Sequence, residues 1–381
     1  MKVTPWEVQI KTEEDYERLI KEFGVQKITE EIKNKIKELA GDLHFLIRRN
    51  FFYAHRDLDL ALKDYEEGKG FFLYTGRAPS KAPMHIGHLI PFILTKWFQE
   101  KFNVNVYIMI PDEEKFLAKK VDSLEEVKKY VEQDILNIIA VGFDPDKTFI
   151  FIDTEYIKHL YKAAVYVARH INLSTAKAVF GFTNDTSIGL IFYPALQIVP
   201  TFFERKRPLI PCGIDQDPYF RLQRDIAPKL GYYKTAEILS KFVWGLEGPY
   251  SKMSASKPET AIILTGDPEK EARKVFRAVT GGRITLEEQR KYGGDPEKCS
   301  VFHWFKIFFE PDDKKLEERY WKCKNGELTC GECKRELYER IKKFLEEHQK
   351  RLRRAERLKD KFLYDGKLAQ EMWNWEFKVY K

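Results

Sequence analysis

The first part of the chain carries apolar residues at helical spacing, separated by polar turns. One stripe recurs every three or four positions and predicts an amphipathic helix: Ile28, Ile32, Ile36 and Leu39. Upstream of it, Thr12 and Asp15 are spaced as a helix-capping pair, and Gly24 stands where that earlier helix would end. The pattern predicts an N-terminal extension of short helices over residues 1–70.

The pattern changes at residue 71, where strand-like and helix-like stretches begin to alternate. Residues 71–74 form an apolar run, residues 85–101 have helical character, and residues 104–110 are typical of a second strand. A turn with Gly and Pro separates the first run from the helix. The sequence therefore predicts a strand, a loop, a helix and a further strand in succession.

The same alternation continues downstream. Ser123 and Glu126 are spaced as a capping box for a helix with an apolar stripe at Val127, Val131, Ile135 and Ile138. Residues 148–152 and 261–264 are typical of further strands. Alternating strands and helices imply an α/β fold, with a parallel sheet covered by helices and ligands bound beyond the carboxyl ends of its strands. This predicted domain covers residues 71–265.

Beyond residue 265 the sequence becomes helical and charged. Apolar residues recur at helical spacing at Leu337, Ile341, Phe344, Leu345, Leu352, Ala355, Leu358 and Phe362. The segment from Lys334 to Lys361 contains twelve Lys or Arg against six Asp or Glu, so most of the formal net charge of +7 lies there. Such a concentration favours a polyanionic partner, although a Lys- and Glu-rich run is also typical of a solvated helix face. Residues 266–381 are predicted to form a helical C-terminal domain.

Composition predicts a soluble, cytoplasmic chain with more than one domain. Hydrophobic residues make up 43% of the 381 positions, which is ample for buried cores. No stretch of the sequence approaches the ~20 apolar residues of a membrane span. Residues 1–10 lack the apolar run of a signal peptide. We therefore expect no membrane association.

The cysteines are distributed unevenly. Four of the five stand in the C-terminal third of the chain: Cys299, Cys323, Cys330 and Cys333. Four thiolates at such spacing can ligate zinc or an iron–sulfur cluster. Free thiols or a disulfide are the alternatives. The sequence thus predicts a candidate metal site without deciding which metal it holds.

Two loops carry residues that suit phosphate chemistry. The first comprises residues 74–80 (YTGRAPS) and 84–88 (MHIGH), where free backbone N–H groups and a helix dipole favour an anion. Its two imidazoles and the glycine between them suit a nucleoside triphosphate. The second, residues 252–257 (KMSASK), presents an ammonium group and hydroxyls to a leaving pyrophosphate. Each loop alone is also typical of a structural histidine pair or of a solvated turn.

Together, and in this order, the two loops resemble the HIGH and KMSKS signatures of class I aminoacyl-tRNA synthetases. Between them, residues 211–221 (PCGIDQDPYFR) are similar to the nucleotide and substrate loop of the tryptophanyl branch in its archaeal and eukaryotic form. The likeness extends from Pro5 and Trp6 through residues 181–183 to residues 281–283. It implies a Rossmann-like catalytic domain, a helical domain that binds the tRNA anticodon, and activation of tryptophan by ATP before its transfer to tRNA(Trp).

The resemblance also implies roles for individual residues. The catalytic set is His85, His88, Lys252, Ser254 and Ser256. The ATP-binding set is Thr75, Gly76, Arg77, His85, Gly87, His88, Gly213, Asp215, Lys252, Met253 and Ser254. The tryptophan-binding set is Tyr74, Glu114, Gln197 and Gln216. A carboxylate and two amides can satisfy an α-ammonium and a carboxylate, and a phenolic oxygen can accept the indole N–H. Mg²⁺ is expected to accompany ATP, with phosphate and water as its main ligands.

The chain departs from the eukaryotic members at Met109, where they usually have a glutamine. A second polar contact to the indole is therefore missing, and discrimination against phenylalanine and tyrosine is expected to differ. The resemblance further implies a homodimer, and some bacterial members carry an iron–sulfur cluster at similar cysteines. The alternatives are a tyrosyl-tRNA synthetase, which shares the fold and both loops, and an RNA-binding relative that has lost catalysis.

Overall fold

A seven-stranded sheet forms the centre of the described part of the chain, which in this computed structural model comprises residues 3–4, 7–8, 10–254 and 257–380. The strands are β1 (Val3–Thr4), β2 (Glu7–Val8), β3 (Gln26–Lys27), β4 (Phe52–Arg56), β5 (Phe71–Gly76), β6 (Val106–Ile110), β7 (Thr148–Ile152), β8 (Arg207–Gly213) and β9 (Ala236–Ser240). β1 and β2 form a separate antiparallel pair. The sheet itself has the order β3-β4-β9-β8-β5-β6-β7.

Helices pack on both faces of this sheet and form most of the C-terminal region. They are α1 (Glu13–Phe23), α2 (Glu30–Ala40), α3 (Phe45–Arg48), α4 (Leu58–Glu66), α5 (Leu89–Phe102), α6 (Glu114–Leu117), α7 (Leu124–Ile139), α8 (Asp153–Ala168), α9 (Leu173–Phe180), α10 (Ile188–Gln197), α11 (Asp217–Leu230), α12 (Pro268–Arg273), α13 (Leu286–Tyr292), α14 (Ser300–Trp304), α15 (Asp313–Lys324), α16 (Cys330–Asp360) and α17 (Lys367–Met372). None of the helices in these described ranges combines the length and apolar character that crossing a membrane requires.

The order of the strands reverses at β5. From this central strand the chain passes to β6 and β7 on one side, and then to β8 and β9 on the other. β5 to β9 pair in parallel. At one edge, β4 pairs antiparallel with β9, and β3 pairs antiparallel with β4. The predicted α/β architecture is confirmed, with a parallel sheet in the domain that the sequence predicts to be catalytic. Open sheets of this kind form a crevice at the carboxyl ends of the strands where the order reverses.

Two hydrophobic cores lie on the opposite faces of the sheet. Along β5, Phe71 and Leu73 belong to one core, and Phe72 and Tyr74 belong to the other. Successive side chains of a strand point to opposite faces, so a strand that is covered on both sides has no polar alternation. This explains why residues 71–74 form an uninterrupted apolar run.

The N-terminal region differs from its prediction in one respect. The capping pair is confirmed, since Thr12 and Asp15 form a reciprocal capping box for α1 and Gly24 ends the helix with a positive φ of 63°. However, β3 and β4 interrupt the predicted run of helices, and β4 pairs with β9 to extend the catalytic sheet. The domain boundaries at residues 70 and 265 stay predictions.

Residues 261–264 do not form the strand that the sequence predicts. His85 and Ile263 make an isolated antiparallel bridge, and the N–H of Ile86 donates to the carbonyl of Ile262 over 3.0 Å. The apolar character of this run arises because it packs beneath the first loop rather than inside the sheet: Ala261, Ile262 and Leu264 are fully buried. A single bridge is too short to count as a strand.

The C-terminal region is dominated by the long helix α16. Its predicted apolar stripe is confirmed at Leu337, Ile341 and Leu345, which are fully buried. The chain then returns to the catalytic sheet: the hydroxyl of Tyr156 on α8 donates to the carbonyl of Met372, and the N–H of Tyr380 donates to the carbonyl of Leu230. The last described residues therefore pack against the sheet domain.

Candidate active site

A cavity of about 530 Å³ opens at the carboxyl edge of the sheet, where β5, β6 and β8 end. Most of the predicted substrate residues line it: Tyr74, Thr75, Gly76, Arg77, His85, Gly87, His88, Glu114, Gln197, Gly213, Asp215, Gln216, Lys252 and Met253. Ser254 is not among its lining residues, and Ser256 lies outside the described residues. The structure therefore brings both loops and the amino-acid set into one space.

The end of β5 requires a glycine. A Cβ at Gly76 would lie 2.9 Å from the carbonyl oxygen of Met109 on the neighbouring strand β6, closer than side-chain carbons normally approach. The next residue keeps this register, because the N–H of Arg77 donates to the same Met109 oxygen over 3.0 Å. The loop thus leaves the sheet with the Arg77 side chain at the cavity wall.

The two histidines of the first loop stack on each other, with ring centroids 3.6 Å apart and planes inclined by 18°. The backbone N–H of His85 donates to Nδ1 of His88 over 3.1 Å, so a neutral His88 ring carries its proton on Nε2. Burial lowers the pKa of His85 to about 3 and that of His88 well below its ordinary value, and the charge of Arg77 lowers both further. At neutral pH both rings are uncharged hydrogen-bond donors.

The two signature loops meet at Gly87. A Cβ at this position would lie 3.1 Å from Cε1 of His85 and 3.1 Å from Sδ of Met253, so a larger residue would have to displace one of these side chains by a few tenths of an ångström. The backbone of Lys252 forms an isolated antiparallel β-bridge with that of Trp244, and Lys252 lines the cavity. Its positive charge contributes to the lowered pKa of His85. We call the wall formed by Arg77, His85, His88 and Lys252 the basic end of the cavity.

Ser254 is held beside the cavity rather than in its wall. Its N–H donates to Oγ1 of Thr260 over 3.2 Å, and its carbonyl accepts from the same hydroxyl over 3.3 Å. Thr260 is fully buried and also donates to the carbonyl of Lys257 over 2.8 Å. Both flanks of the second loop are therefore fixed to one threonine.

At the opposite end, polar groups form a connected line through an apolar pocket. The hydroxyl of Tyr74 lies 2.7 Å from the carbonyl oxygen of Gln197, to which it donates, and 3.0 Å from Sδ of Met109. Nε2 of Gln197 donates to Oε1 of Gln216 over 3.0 Å, and Nε2 of Gln216 donates to Oδ2 of Asp215 over 3.1 Å. Burial raises the pKa of Tyr74 well above its ordinary value, so the phenol stays protonated.

Glu114 supplies a buried carboxylate between these two ends. Its side chain is only 5% exposed, and Oε2 lies 2.6 Å from Nζ of Lys115, which also lines the cavity. Glu113 and Asp153 are also buried, and burial raises the pKa of Glu113 to about 7, with the charges of Asp112 and Glu114 raising it further. The neighbourhood thus concentrates carboxyl groups at one side of the pocket, where a cationic group can be bound.

Several residues that line the cavity do not belong to the site predicted from the sequence. Lys115, Tyr193, Tyr219 and Phe220 all line the cavity. Tyr219 and Phe220 stand inside the segment 211–221, which carried a signal as a whole, and Phe220 packs edge-on against Tyr74 at 6.2 Å. Tyr193 belongs to no recognisable motif, and its position at the cavity depends on how α10 packs in the folded chain. These rings give the pocket the aromatic wall that a flat apolar substrate requires.

The structure does not support the predicted metal site at the cysteines. Within the described residues, no group of three or more His, Cys, Asp or Glu side chains is arranged to hold a metal ion. Cys299 accepts the N–H of Phe302 at the start of α14, and Nη1 of Arg319 lies 3.5 Å from the sulfur of Cys333. Burial raises the pKa of Cys323 to about 11 and that of Cys333 to about 12, so both are neutral thiols at neutral pH in the metal-free chain.

The cysteines are free thiols in this structure, including Cys330. Spacing alone suggested a ligand set, but Cys299 serves as the N-cap of a short helix and Cys330 opens α16. A capping role therefore accounts for Cys299.

Comparison with known proteins gives a consistent result. The family model described as tRNA synthetases class I (W and Y) matches residues 66–346. The chain is 62% identical over 375 residues to the tryptophan–tRNA ligase of Pyrococcus horikoshii, covering 98% of this chain and 96% of the relative. It is 56% identical over 372 residues to that of Saccharolobus solfataricus, covering 97% of each.

Solved structures agree in fold. The tryptophanyl-tRNA synthetase from Giardia lamblia is 37% identical with a TM-score of 0.87, covering 94% of this chain and 98% of that one. The enzyme from Plasmodium falciparum is 38% identical with a TM-score of 0.87, covering 93% and 99%. The family prediction is confirmed: this chain belongs to the class I tRNA synthetases for tryptophan and tyrosine.

Proposed function

We propose that this enzyme is a tryptophan–tRNA ligase. It would activate tryptophan with ATP to form tryptophanyl-adenylate and pyrophosphate, and then transfer tryptophan to tRNA(Trp). The observation that carries the proposal is the union, in one cavity, of a basic end with a polar line from Tyr74 to Gln216. The names of relatives at 56–62% identity support it. Charging of tRNA implies that the enzyme acts in the cytoplasm.

The basic end suits the triphosphate of ATP. The neutral rings of His85 and His88 would donate hydrogen bonds to phosphate oxygens, while Lys252 supplies a positive charge to the departing pyrophosphate. Gly87 leaves room for the nucleoside beside the first loop. Mg²⁺ would enter with ATP as part of the substrate, and phosphate and water would be its main ligands.

The polar line suits the amino acid. The hydroxyl of Tyr74 donates its proton to the carbonyl of Gln197, so the phenolic oxygen is left to accept a hydrogen bond from the N–H of an indole. Glu114 and the amides of Gln197 and Gln216 offer partners for the α-ammonium and carboxylate groups. A phenylalanine ring would leave the Tyr74 oxygen without this partner, and a site rejects an analogue that leaves its buried polar groups unpaired.

The chemical step needs no covalent bond to the enzyme. The tryptophan carboxylate would attack the α-phosphorus, the bond from this phosphorus to the bridging oxygen of pyrophosphate would break, and pyrophosphate would leave with the electron pair. Catalysis would then rest on orientation of the two substrates and on stabilisation of developing negative charge. The fixed loops around Gly87 and Thr260 provide such preorganisation.

We also propose that the chain acts as a homodimer through the outer face of α8. Tyr161 is 59% exposed there, Val165 and Tyr166 are also exposed, and the neighbouring Ile188 is 86% exposed. Apolar side chains grouped on one surface are typical of an interface between protein subunits. Tyr161→Glu is expected to shift the sedimentation coefficient to that of a monomer, whereas Leu60→Glu on another helix should not. A monomeric wild-type protein would contradict the proposal.

ATP–pyrophosphate exchange tests the main proposal. Exchange should depend on tryptophan, with tyrosine and phenylalanine assayed in parallel, and Lys252→Ala should reduce it by roughly a hundredfold or more, as expected for loss of a charged transition-state contact. Lys69→Ala, an exposed lysine outside the cavity, is the matched control. Exchange with tyrosine would instead indicate the sister enzyme. Absence of exchange with any amino acid would indicate an RNA-binding relative without catalysis.

A further inference from the structure

The guanidinium of Arg77 is held by a residue outside the cavity wall. Its Nε lies 3.2 Å from Oδ2 of Asp134, which stands on α7. The two side chains are 14% and 5% exposed, so the pair is shielded from water. Arg77 lines the basic end, whereas Asp134 is not among the lining residues. Arg77 therefore faces the cavity, while Asp134 contacts Arg77 without lining the cavity.

The pairing restricts an otherwise flexible side chain. An arginine carries about 2 kcal/mol of rotamer entropy, which a fixed partner removes before a ligand arrives. Burial raises the pKa of Asp134 to about 6, although the charge and the hydrogen bond of Arg77 act in the opposite direction. At neutral pH the carboxylate is therefore ionised next to the guanidinium, and the two charges compensate each other in a poorly solvated place.

Helix α7 is itself fixed close to Asp134. Nε2 of His348 on α16 lies 2.8 Å from Oδ1 of Asn137, and both side chains are fully buried. Nδ2 of Asn137 donates to the carbonyl of Gln133 over 2.8 Å, within the same turn of the helix. The bond between His348 and Asn137 holds α7 against α16, less than one helical turn from Asp134. The carboxylate is therefore presented to Arg77 from a rigid support.

We propose that Asp134 is a positioning residue for ATP: it holds the Arg77 guanidinium at the basic end of the cavity, ready to contact the triphosphate. The proposal rests on the proposed function, since it takes ATP as the ligand of this end. Asp134 does not touch the substrate, so its effect on ATP must pass through Arg77. The tryptophan side of the cavity, from Tyr74 to Gln216, lies outside its influence.

The test compares ATP with tryptophan in Asp134→Asn, which keeps the shape of the side chain and an acceptor oxygen but removes the charge. The KM for ATP should rise about tenfold, the size expected for one charge-assisted contact, while the KM for tryptophan changes less than about twofold. In an Arg77→Ala background, Asp134→Asn should have no further effect on the KM for ATP. Glu132→Gln is the matched control, because Glu132 lies on α7 and pairs with Lys359 instead.

Two results would overturn the proposal. One is an equal rise, or no change, in both KM values. The other is the same loss of ATP affinity whether or not Arg77 is present. If Asp134→Asn fails to fold, Asp134→Glu keeps the charge but shifts the carboxylate by one methylene, and it must show the same selective effect on ATP.

Direct titration of each variant with ATP separates this proposal from the proposed function. ATP binding needs no choice of amino acid, so a weaker ATP Kd in Asp134→Asn would support the positioning role even if tryptophan failed to drive exchange. Conversely, tryptophan-dependent exchange with unchanged ATP affinity in Asp134→Asn would leave the function intact and refute the positioning role.

Discussion

The side-chain amide of Gln197 donates a hydrogen bond to the side-chain oxygen of Gln216 over 3.0 Å. Gln197 ends α10, and Gln216 closes the 3₁₀ turn Ile214–Gln216 after β8, so the bond joins two elements that meet only in the folded chain. Gln216 in turn donates to Asp215. Because one end of each amide donates and the other end accepts, the bond fixes the orientation of both amides at the pocket.

Gln216→Ala is expected to weaken tryptophan binding selectively. It removes an acceptor from Gln197 and leaves that partly buried amide without its partner, which typically costs more than the bond itself contributes. The KM for tryptophan in pyrophosphate exchange should rise about tenfold, with a smaller change in the KM for ATP. Gln26→Ala, on the exposed strand β3, should change neither. Equal increases for both substrates would contradict a role in amino-acid recognition.

Met109→Gln is expected to increase selectivity for tryptophan. Met109 is buried, with its sulfur 3.0 Å from the Tyr74 hydroxyl, where a glutamine amide would offer a stronger polar partner. The ratio of kcat/KM for tryptophan to that for phenylalanine should rise about tenfold, because phenylalanine cannot satisfy a buried polar group. Met109→Leu keeps the site apolar and should give no gain. A ratio that falls in Met109→Gln would show that the amide does not reach the substrate.

Local signals made much of this fold predictable. The capping box of Thr12 and the apolar run of β7 depend on neighbours within a few positions, and both are found where the sequence predicts them. β4 was missed because its pairing is non-local: Phe52–Arg56 aligns with Ala236–Ser240, far along the chain. Its apolar residues between helices gave no sign that they extend a sheet.

In the cavity, too, residues in local motifs could be predicted from the sequence, whereas residues placed by distant contacts could not. Residues in contiguous loops, such as His85 and Lys252, were found through their motifs and meet in space. Asp134 was not found, because on the sequence it is one acid in a charged amphipathic helix, and only packing brings it to Arg77. For the cysteines the sequence misled in the other direction, since their spacing indicated a metal site but the described residues contain no group of side chains arranged to hold a metal ion.

His348→Gln is expected to reduce the acid sensitivity of the fold. Burial lowers the pKa of His348 from 6.5 to about 4, so the folded chain keeps it neutral while the unfolded chain takes up a proton below about pH 6.5. The free energy of unfolding should therefore fall as the pH drops from about 6.5 towards 4, by up to ~1.4 kcal/mol per pH unit for one proton. Glutamine keeps a donor for Asn137 without titrating.

Denaturant unfolding between pH 7 and pH 5 measures this effect. The loss of stability should be smaller in His348→Gln than in the wild type. His170→Gln, at an exposed position, should follow the wild type more closely than His348→Gln does, although burial lowers the pKa of His170 in the same direction. Parallel pH curves for His348→Gln and the wild type would show that this histidine does not contribute to acid unfolding.

Binding of tRNA(Trp) is expected to depend steeply on salt through α16. Arg353, Arg354 and Arg357 are exposed on this helix, within the segment that carries most of the net positive charge. Each phosphate contact releases counterions, so replacing one of these arginines with glutamine should reduce the slope of log Kd against log salt by about one if it contacts a phosphate. Pyrophosphate exchange needs no tRNA and should stay unchanged, which separates loss of RNA binding from damage to the active site. A salt-independent Kd would mean that α16 is a solvated face and that the tRNA binds elsewhere.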